Sequence, residues 1–381
     1  MLAFFGWTDL LLINHVNVKT SYYPSEKADL YVLKIPRVSM RLVDEIKKSS
    51  IFEAVYEIEL LDWFDGKTKL QKVMGLLRRE YVFQHYNKQI NAACGFKKYQ
   101  HFFTGAFWAE SLHLFRSFFQ NNRNLQISLV EEGSVSFCEP KGLTRCTAQR
   151  GYREKIIKYF HYFPWFVFAE KRIEYLYLYC PEIMTEDIKQ NIRRMPQICK
   201  SSVVGGILKN IVSPIELMDY QKADYIFLVP FSANDENGES ISLLREIVDG
   251  VGSKSQVMVR LHPNIKHIKV CLYNTVGKTV ATETASSNIE GILFMLDIEN
   301  KVFIAKNSSL LAIPRTMYGK TPWIVMTHNL YKKQQSYGVA DTDLFEQLSL
   351  LYGDSEKLYA PKNKEEMINV LQGIAQLSSA P

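Results

Sequence analysis

Residues 301–318, KVFIAKNSSLLAIPRTMY, hold a predicted strand, a turn and a predicted helix in that order. The apolar run Val302–Ala305 predicts a buried strand, Lys306 and Asn307 form the turn, and the apolar spacing of Ser309–Tyr318 predicts a helix. The same alternation continues outward from this stretch in both directions along the chain. It predicts mostly parallel sheets covered by helices, which is the α/β class.

The alternation falls into two series, and 381 residues exceed one core of roughly 150 to 200 residues. We therefore predict two Rossmann-like, doubly wound domains that face each other across a cleft. Residues 1–182 form the first domain, residues 183–221 the linker and residues 222–381 the second domain. The strands are predicted at Leu10–Ile13, Leu30–Ile35, Ala54–Leu60, Gln126–Val130, Tyr225–Val229, Gln256–Leu261, Thr279–Glu283, Lys301–Ala305 and Thr321–Met326. The other helices are predicted at Val43–Ser49, Lys67–Asn87, Ala106–Gln120, Ser240–Asp249, Ile289–Leu296 and Lys364–Gln376.

Composition excludes several classes of protein. A content of 47% hydrophobic and 23% charged residues is that of a globular protein, and the net charge of +6 comes without the dense Lys/Arg block of a nucleic-acid binder. The six cysteines form no CxxC pair, so we expect free thiols and no metal site. The N-terminus lacks a basic n-region, and no apolar stretch reaches about 18 residues, so we expect a cytoplasmic protein.

Residues 153–179 are unusually rich in aromatic and basic side chains. One interpretation is an interfacial segment that places aromatic rings at headgroup level and cations on anionic lipid, at the inner face of a membrane. The other is a buried helix followed by a strand, with the rings in the core. The sequence leaves both open.

Three short motifs end strands or begin helices, where α/β proteins bind ligands. Ser308 and Ser309 cap a predicted helix. The backbone amides at the start of that helix, which lack partners within it, could bind a phosphate. Glu131, Glu132 and Gly133 follow a strand; the neighbouring carboxylates repel, so one could keep its proton to higher pH and serve as a general base. An exposed acidic turn is the alternative.

The third motif is His262-Pro263, at the end of a predicted strand. Proline keeps the preceding residue out of helical geometry, which fixes His262 where it could donate to a phosphate. Glu290 begins a helix and could bind ribose hydroxyls or complement the helix dipole. Ser232, after the preceding strand, could line a pocket for a nucleotide base.

The three motifs in this order resemble those of the bacterial sialyltransferases of the two-Rossmann-domain (GT-B) type. The pattern is most similar to glycosyltransferase family 52, which makes lipooligosaccharide and capsule sugars. The resemblance implies an acceptor-side first domain and a second domain that binds the nucleotide sugar. It implies an inverting, metal-independent transfer of sialic acid from CMP-sialic acid to a terminal sugar of a surface glycan, with no other cofactor.

The resemblance also implies residue roles. His262, with Pro263, would contact the donor phosphate and assist its departure, Ser308 and Ser309 would hold that phosphate, and Glu290 would bind the ribose. Glu132 would deprotonate the acceptor; one branch places the base before the His-Pro strand, where Asp235, Glu236 and Glu239 lie. Arg260 stands where a lysine is often found. The alternatives are a GT-B enzyme that uses CMP-Kdo or a UDP-hexose and a non-catalytic polysaccharide-assembly protein; a homodimer is left open.

Overall fold

A computed structural model gives the fold. It describes residues 1–35, 38–59, 84, 87–92, 95, 97–107, 109–133, 163–184, 191–229, 239–251, 256–260, 280–282, 288–331 and 341–378. The described residues divide into two compact units, the first ending at Pro196 and the second beginning at Gln197, apart from Gly133 and residues 182–184, which belong with the second. Each unit has its own sheet.

The first unit contains a sheet of seven described strands in the order β3-β2-β1-β4-β5-β6-β7, with every neighbouring pair parallel. The strands are β1 (Leu2–Gly6), β2 (Ala28–Lys34), β3 (Ala54–Glu59), β4 (His101–Thr104), β5 (Gln126–Val130), β6 (Ile173–Leu178) and β7 (Asn191–Arg194). The helices are α1 (Asp9–Tyr22), α2 (Met40–Lys48), α3 (Ala109–Asn121) and α4 (Phe163–Glu170).

The prediction of a strand at Leu10–Ile13 is wrong, because these residues lie in α1. Thr8 caps that helix by accepting a hydrogen bond from the amide of Leu11. All residues from Leu10 to Lys19 are buried, so α1 shows no polar face and its apolar run carries no 3.6-residue period. The first strand is instead the wholly buried Leu2–Gly6.

In the aromatic segment, the described residues form α4 and β6. Tyr177 and Tyr179 are buried, as the interpretation with the rings in the core expects. Residues 153–162 lie outside the described part of the chain, as does most of the helix predicted at Lys67–Asn87. Membrane contact through residues 153–179 stays a prediction. No helix in the described part of the chain combines the length and the apolar character that crossing a membrane requires.

The second unit contains a sheet of six described strands in the order β10-β9-β8-β11-β12-β13, again all parallel. The strands are β8 (Tyr225–Leu228), β9 (Val257–Arg260), β10 (Val280–Thr282), β11 (Val302–Ala305), β12 (Trp323–Met326) and β13 (Leu358–Tyr359). The helices are α5 (Val203–Ile211), α6 (Pro214–Lys222), α7 (Glu239–Val251), α8 (Ile289–Met295), α9 (Ile313–Tyr318), α10 (Asp341–Tyr352) and α11 (Lys364–Ser378). The prediction of two doubly wound α/β domains is confirmed.

The stretch 183–221, expected to connect the domains, contains regular structure. Its strand β7 is the last of the first sheet, whereas α5 and α6 belong to the second unit. The predicted helix Ser309–Tyr318 is divided into a 3₁₀ turn at Ser309–Leu311 and α9. Pro314 lies in the first turn of α9, where its missing amide hydrogen costs nothing.

Candidate functional site

Strand order marks where each sheet can bind a ligand. In an open α/β sheet, ligands bind outside the carboxyl ends of the strands, at the point where the order reverses. That point lies between β1 and β4 in the first sheet and between β8 and β11 in the second. We call the row of strand carboxyl ends the carboxyl edge of each sheet. Glu132 follows β5 on the first edge, and Ser308 follows β11 on the second.

Glu131 points into the interior of the first unit. Its side chain is 5% exposed, and its Oε2 accepts a hydrogen bond from the backbone N–H of Tyr179 at 2.9 Å. Burial raises the pKa of Glu131 to about 7, although the hydrogen bond from Tyr179 favours the ionised form. One of the two carboxylates therefore does hold its proton to higher pH, as the sequence suggested, but the principal cause is burial.

A buried polar network surrounds Glu131. The Nδ2 of Asn14 donates to the carbonyl oxygen of Glu131 at 2.7 Å, and the Oδ1 of Asn14 accepts from the hydroxyl of Tyr179 at 2.9 Å. Asn17 also donates to that hydroxyl, at 3.1 Å, and to the carbonyl of Pro196 at 2.9 Å. The network joins α1 to the residues that follow β5 and β6, so it fixes the backbone from which Glu132 extends.

Glu132 lies on the carboxyl edge and is half-buried. Its Oε2 would be only 2.8 Å from a Cβ atom placed on Gly105, which follows β4 beside the reversal point. Gly105 therefore leaves the room that this carboxylate occupies. Gly133 has a φ of 119°, a conformation that only glycine adopts readily, so the chain turns sharply after Glu132. Glu132 is thus the carboxylate of this pair that reaches the edge.

Ser308 and Ser309 are both half-buried and follow β11 directly after Lys306 and Asn307. The Oγ of Ser308 accepts a hydrogen bond from the amide of Leu310 at 3.3 Å, so Ser308 does cap the turn. Its hydroxyl proton and second lone pair are not consumed by that bond. Capping and phosphate binding are therefore compatible at this position.

The carboxyl edge of the second sheet also carries a cation that was not among the predicted site residues. Lys306, the residue after β11, is only 6% exposed, and its Nζ lies 4.9 Å from the ring centroid of Tyr331. The hydroxyl of Tyr331 lies 3.2 Å from the Oγ of buried Ser240, near the start of α7. The lysine stands in the turn that defines the strand–turn–helix pattern, so its position was visible in the sequence.

The remaining predicted residues divide into two groups. Arg260 ends β9 and is buried, with its Nη1 3.4 Å from the hydroxyl of Tyr220 in α6. Glu290 is buried in the first turn of α8, and its carbonyl accepts from Tyr318 at 2.9 Å. Topology puts both on the carboxyl-edge side of the second sheet, because one ends a strand and the other begins a helix that follows one. The residues outside the described part of the chain are Ser232, Asp235, Glu236, His262 and Pro263.

Glu239, the remaining candidate for the base, is the first residue of α7. Among the described residues, no group of three or more His, Cys, Asp or Glu side chains could hold a metal ion. Catalysis without a metal stays a prediction, as do all the assigned residue roles.

Comparison with known proteins gives the fold. No family of known sequences and no curated protein matches this chain. Similar solved structures include S. aureus MnaA with UDP, at 9% identity and a TM-score of 0.54 over 100% of this chain and 88% of that one. Another is Phytolacca americana UGT2 with UDP-2-fluoro-glucose and pterostilbene, at 9% identity and a TM-score of 0.52 over 99% and 92%. The two units of this chain have the Rossmann-like, two-domain architecture of the GT-B fold.

Proposed function

We propose that this protein is a glycosyltransferase that moves a sugar from a nucleotide-sugar donor to a hydroxyl group of an acceptor glycan. The observation that carries the proposal is the position of Ser308 and Ser309 at the end of β11, where the strand order of the second sheet reverses. Glu132 supplies a carboxylate on the carboxyl edge of the first sheet. Both similar structures named above contain uridine nucleotides, which supports a nucleotide-linked donor here without identifying its base.

The proposed reaction is a direct displacement. The acceptor oxygen forms a bond to the anomeric carbon of the donor, and the bond from that carbon to the phosphate oxygen breaks with its electron pair on the phosphate. Glu132 takes the proton of the acceptor hydroxyl, a role that contributes about 10²- to 10⁴-fold in rate. Ser308, Ser309 and His262 stabilise the departing phosphate by hydrogen bonds. Because the acceptor oxygen attacks from the face opposite the departing phosphate, the displacement inverts the anomeric centre.

We infer that the donor is CMP-sialic acid, because the three motifs resemble those of the sialyltransferases. The second candidate is another nucleotide sugar, a UDP-hexose or CMP-Kdo. The uridine nucleotides of the two similar structures favour a UDP-sugar within that group. A UDP-hexose leaves UDP, whereas CMP-sialic acid and CMP-Kdo both leave CMP, so a binding panel separates uridine donors from cytidine donors. A transfer assay with each CMP-sugar separates the two cytidine donors.

The test begins with isothermal titration of the purified protein with CMP, CMP-sialic acid, UDP and UDP-glucose. We expect the cytidine compounds to bind; selective binding of the uridine compounds would favour the second candidate, and no binding at all would overturn the proposed function. Ser308→Ala and Ser309→Ala should weaken donor binding. Ser202→Ala is the matched control, because Ser202 caps α5 by accepting from the amide of Gly205 at 3.0 Å.

A second measurement tests the base. Glu132→Gln should bind the donor normally but lose transfer by about 10²-fold or more. Normal transfer by this variant would exclude Glu132 and leave Asp235, Glu236 and Glu239 to be tested. If polysaccharide assembly proceeds normally although the protein consumes no donor, the protein is a non-catalytic polysaccharide-assembly protein.

A further inference from the structure

The helix α4 has no polar face and yet is incompletely buried. Its sequence, FPWFVFAE, contains no polar side chain before Glu170. A helix that is apolar all round is expected in a core or against a membrane. Trp165, Val167 and Phe168 are nevertheless only half-buried. Part of the apolar surface of α4 is therefore accessible to a partner.

The rings of α4 pack on rings of α3. The ring centroid of Phe119 in α3 lies 4.8 Å from that of Phe168 and 6.3 Å from that of Trp165, and both contacts are edge-to-face. The buried Phe115 makes a further edge-to-face contact with Trp165 at 6.4 Å. These contacts fix the orientation of the two α4 rings. We call Trp165 and Phe168 the aromatic surface of the first unit.

Two arginines border the aromatic surface. The Cζ of Arg123 lies 5.0 Å and that of Arg172 lies 4.8 Å from the ring centroid of Phe119, and Arg172 is also 4.7 Å from the centroid of Phe168. The exposed Lys171 directly precedes Arg172. None of these three cations forms an ion pair with a carboxylate of the described residues. The border of the aromatic surface is therefore positively charged.

The two guanidinium groups retain donors for an anion. A guanidinium over a ring keeps its N–H groups in its own plane, where they can bind a phosphate. Arg172 uses one of them for a long hydrogen bond, from Nη1 to the carbonyl oxygen of Leu125 at 3.5 Å. Arg123 is exposed, so its donors are accessible. Contact with the ring and contact with an anion are therefore compatible.

The bordering arginines lie on the side of the first sheet that is remote from Glu132. Arg123 shortly precedes β5 and Arg172 directly precedes β6, so both are at the amino ends of their strands. Glu132 follows β5 at its carboxyl end. A large partner bound on the amino side would therefore leave the carboxyl edge accessible.

We propose that α4 and its bordering arginines bind the surface of an anionic lipid bilayer. The two rings would lie at the level of the headgroups, and the two guanidinium groups would bind lipid phosphates. An apolar centre with a cationic border matches these two layers, whereas a nucleic acid would require a longer row of cations. The contact is assigned to α4 and not to β6, whose Tyr177 is buried. The inference goes beyond the proposed function and does not depend on it.

The experiment is flotation of the full chain, over a series of lipid concentrations, with vesicles of phosphatidylcholine alone or mixed with phosphatidylglycerol. The wild type should bind the mixed vesicles and not the neutral ones, and rising salt should weaken the binding. The double variant Arg123→Gln/Arg172→Gln should bind about thirtyfold more weakly, because it removes two cations from the anionic surface. The matched control is Lys209→Gln/Arg245→Gln, which removes the same charge from exposed positions of the second unit and should leave vesicle binding unchanged.

A further variant tests the aromatic surface. Trp165→Ala should weaken binding to the mixed vesicles by about tenfold, because the indole ring is lost from the headgroup layer. If this variant does not fold, hydrogen exchange of α4 in the wild type replaces it. Mixed vesicles should then slow exchange in α4, and unchanged exchange would contradict the proposal.

Several results would overturn the inference. They are equal binding to neutral and mixed vesicles, no binding to either, unchanged binding by Trp165→Ala, and an equal loss in the control pair. Binding to a single-stranded oligonucleotide but not to vesicles would identify a nucleic acid as the partner instead. A dimer that Trp165→Ala abolishes, in a protein that binds no vesicles, would identify a second copy of the chain. Vesicle binding by a wild type that binds no nucleotide would overturn the proposed function alone.

Discussion

Two neighbouring carboxylates of the first unit have different surroundings. Glu131 is enclosed by α1 and by the chain after β6, with its pKa raised to about 7 by burial, whereas Glu132 lies on the carboxyl edge against Gly105. Glu131 is therefore a structural group that is protonated over part of the physiological pH range. Its neighbour keeps the exposure that a base needs.

Glu131→Gln should stabilise the protein above pH 7. The unfolded chain releases the Glu131 proton near pH 4.5 and the folded chain near pH 7, so the ionised carboxylate opposes folding above that range. The amide has no charge and still accepts from the N–H of Tyr179. We expect a gain of about 3 kcal/mol in unfolding free energy at pH 8, which disappears by about pH 4.5.

Urea unfolding of wild type and variant at a series of pH values measures this difference. Glu26→Gln is the control, because Glu26 is an exposed carboxylate of the same unit and its replacement should change stability little at any pH. A Glu131→Gln variant less stable than wild type at pH 8 would show that the ionised carboxylate contributes favourably.

At the scale of the element, apolar runs predicted several strands correctly but missed others, including the buried central strands β1 and β4 of the first sheet. Gln126–Val130 is the strand predicted, residue for residue. Asn191–Arg194 carries no apolar alternation because it is an exposed edge strand, defined only by its pairing with β6. The helix α1 was mistaken for a strand because burial on every side removes its period. Periodicity reports the contrast between two faces, so it fails where both faces are alike.

The site shows the same division. Strand ends and turn residues located Ser308 and the Glu131–Glu132 pair on carboxyl edges. Sequence could not assign the inward position to Glu131, because that depends on Asn14 and Tyr179, which are distant along the chain. Nor could it supply Tyr331 as the partner of Lys306, which required the packing of the chain after β12.

A single lysine caps the C-terminal end of α8. The Nζ of Lys320 donates to the carbonyls of Leu293 at 2.8 Å, Phe294 at 2.6 Å and Leu296 at 2.6 Å, which the helix end leaves without amide partners. Lys320→Met should therefore lower the unfolding free energy by about 2–3 kcal/mol. Urea unfolding measures the change, and hydrogen exchange should increase first in α8.

The control for this variant is Lys209→Met. Lys209 is exposed on α5, which packs against α8, and its loss should change stability little. Equal stability of the two variants would show that water satisfies the α8 carbonyls as well as the ammonium does.

At the scale of the whole molecule, the two sheets share one topology. Counted from the first strand of each, both run 3-2-1-4-5-6, and the first sheet adds a seventh strand at its edge. Each unit therefore has its own reversal point, with a carboxylate near the first and serines with a buried lysine at the second. Strand–helix alternation predicted two doubly wound sheets but not their strand order, because more than one order is compatible with the same alternation.

Acid should weaken the first unit through its buried histidines. The Nε2 of His15 donates a hydrogen bond to the carbonyl oxygen of Phe5 at 2.8 Å, and the Nε2 of His101 lies 2.7 Å from the hydroxyl oxygen of Ser128. Burial lowers the pKa of both His15 and His101 to about 4. The unfolded chain takes up these protons near pH 6.5 and the folded chain only near pH 4, so stability present above pH 6.5 is lost on acidification. Each histidine should therefore lower the free energy of unfolding by about 2 kcal/mol at pH 5 relative to pH 7.

Glu131 acts in the opposite direction over nearly the same range, because its folded pKa is the higher one. The net loss between pH 7 and pH 5 should therefore be about 1–2 kcal/mol in the first unit. Hydrogen exchange of β1 and α1, corrected for the intrinsic rate at each pH, measures it. His15→Gln keeps a donor for the Phe5 carbonyl and should reduce the pH dependence, whereas Glu131→Gln should increase it. The same acid response in wild type and both variants would mean that other groups control the acid stability of this unit.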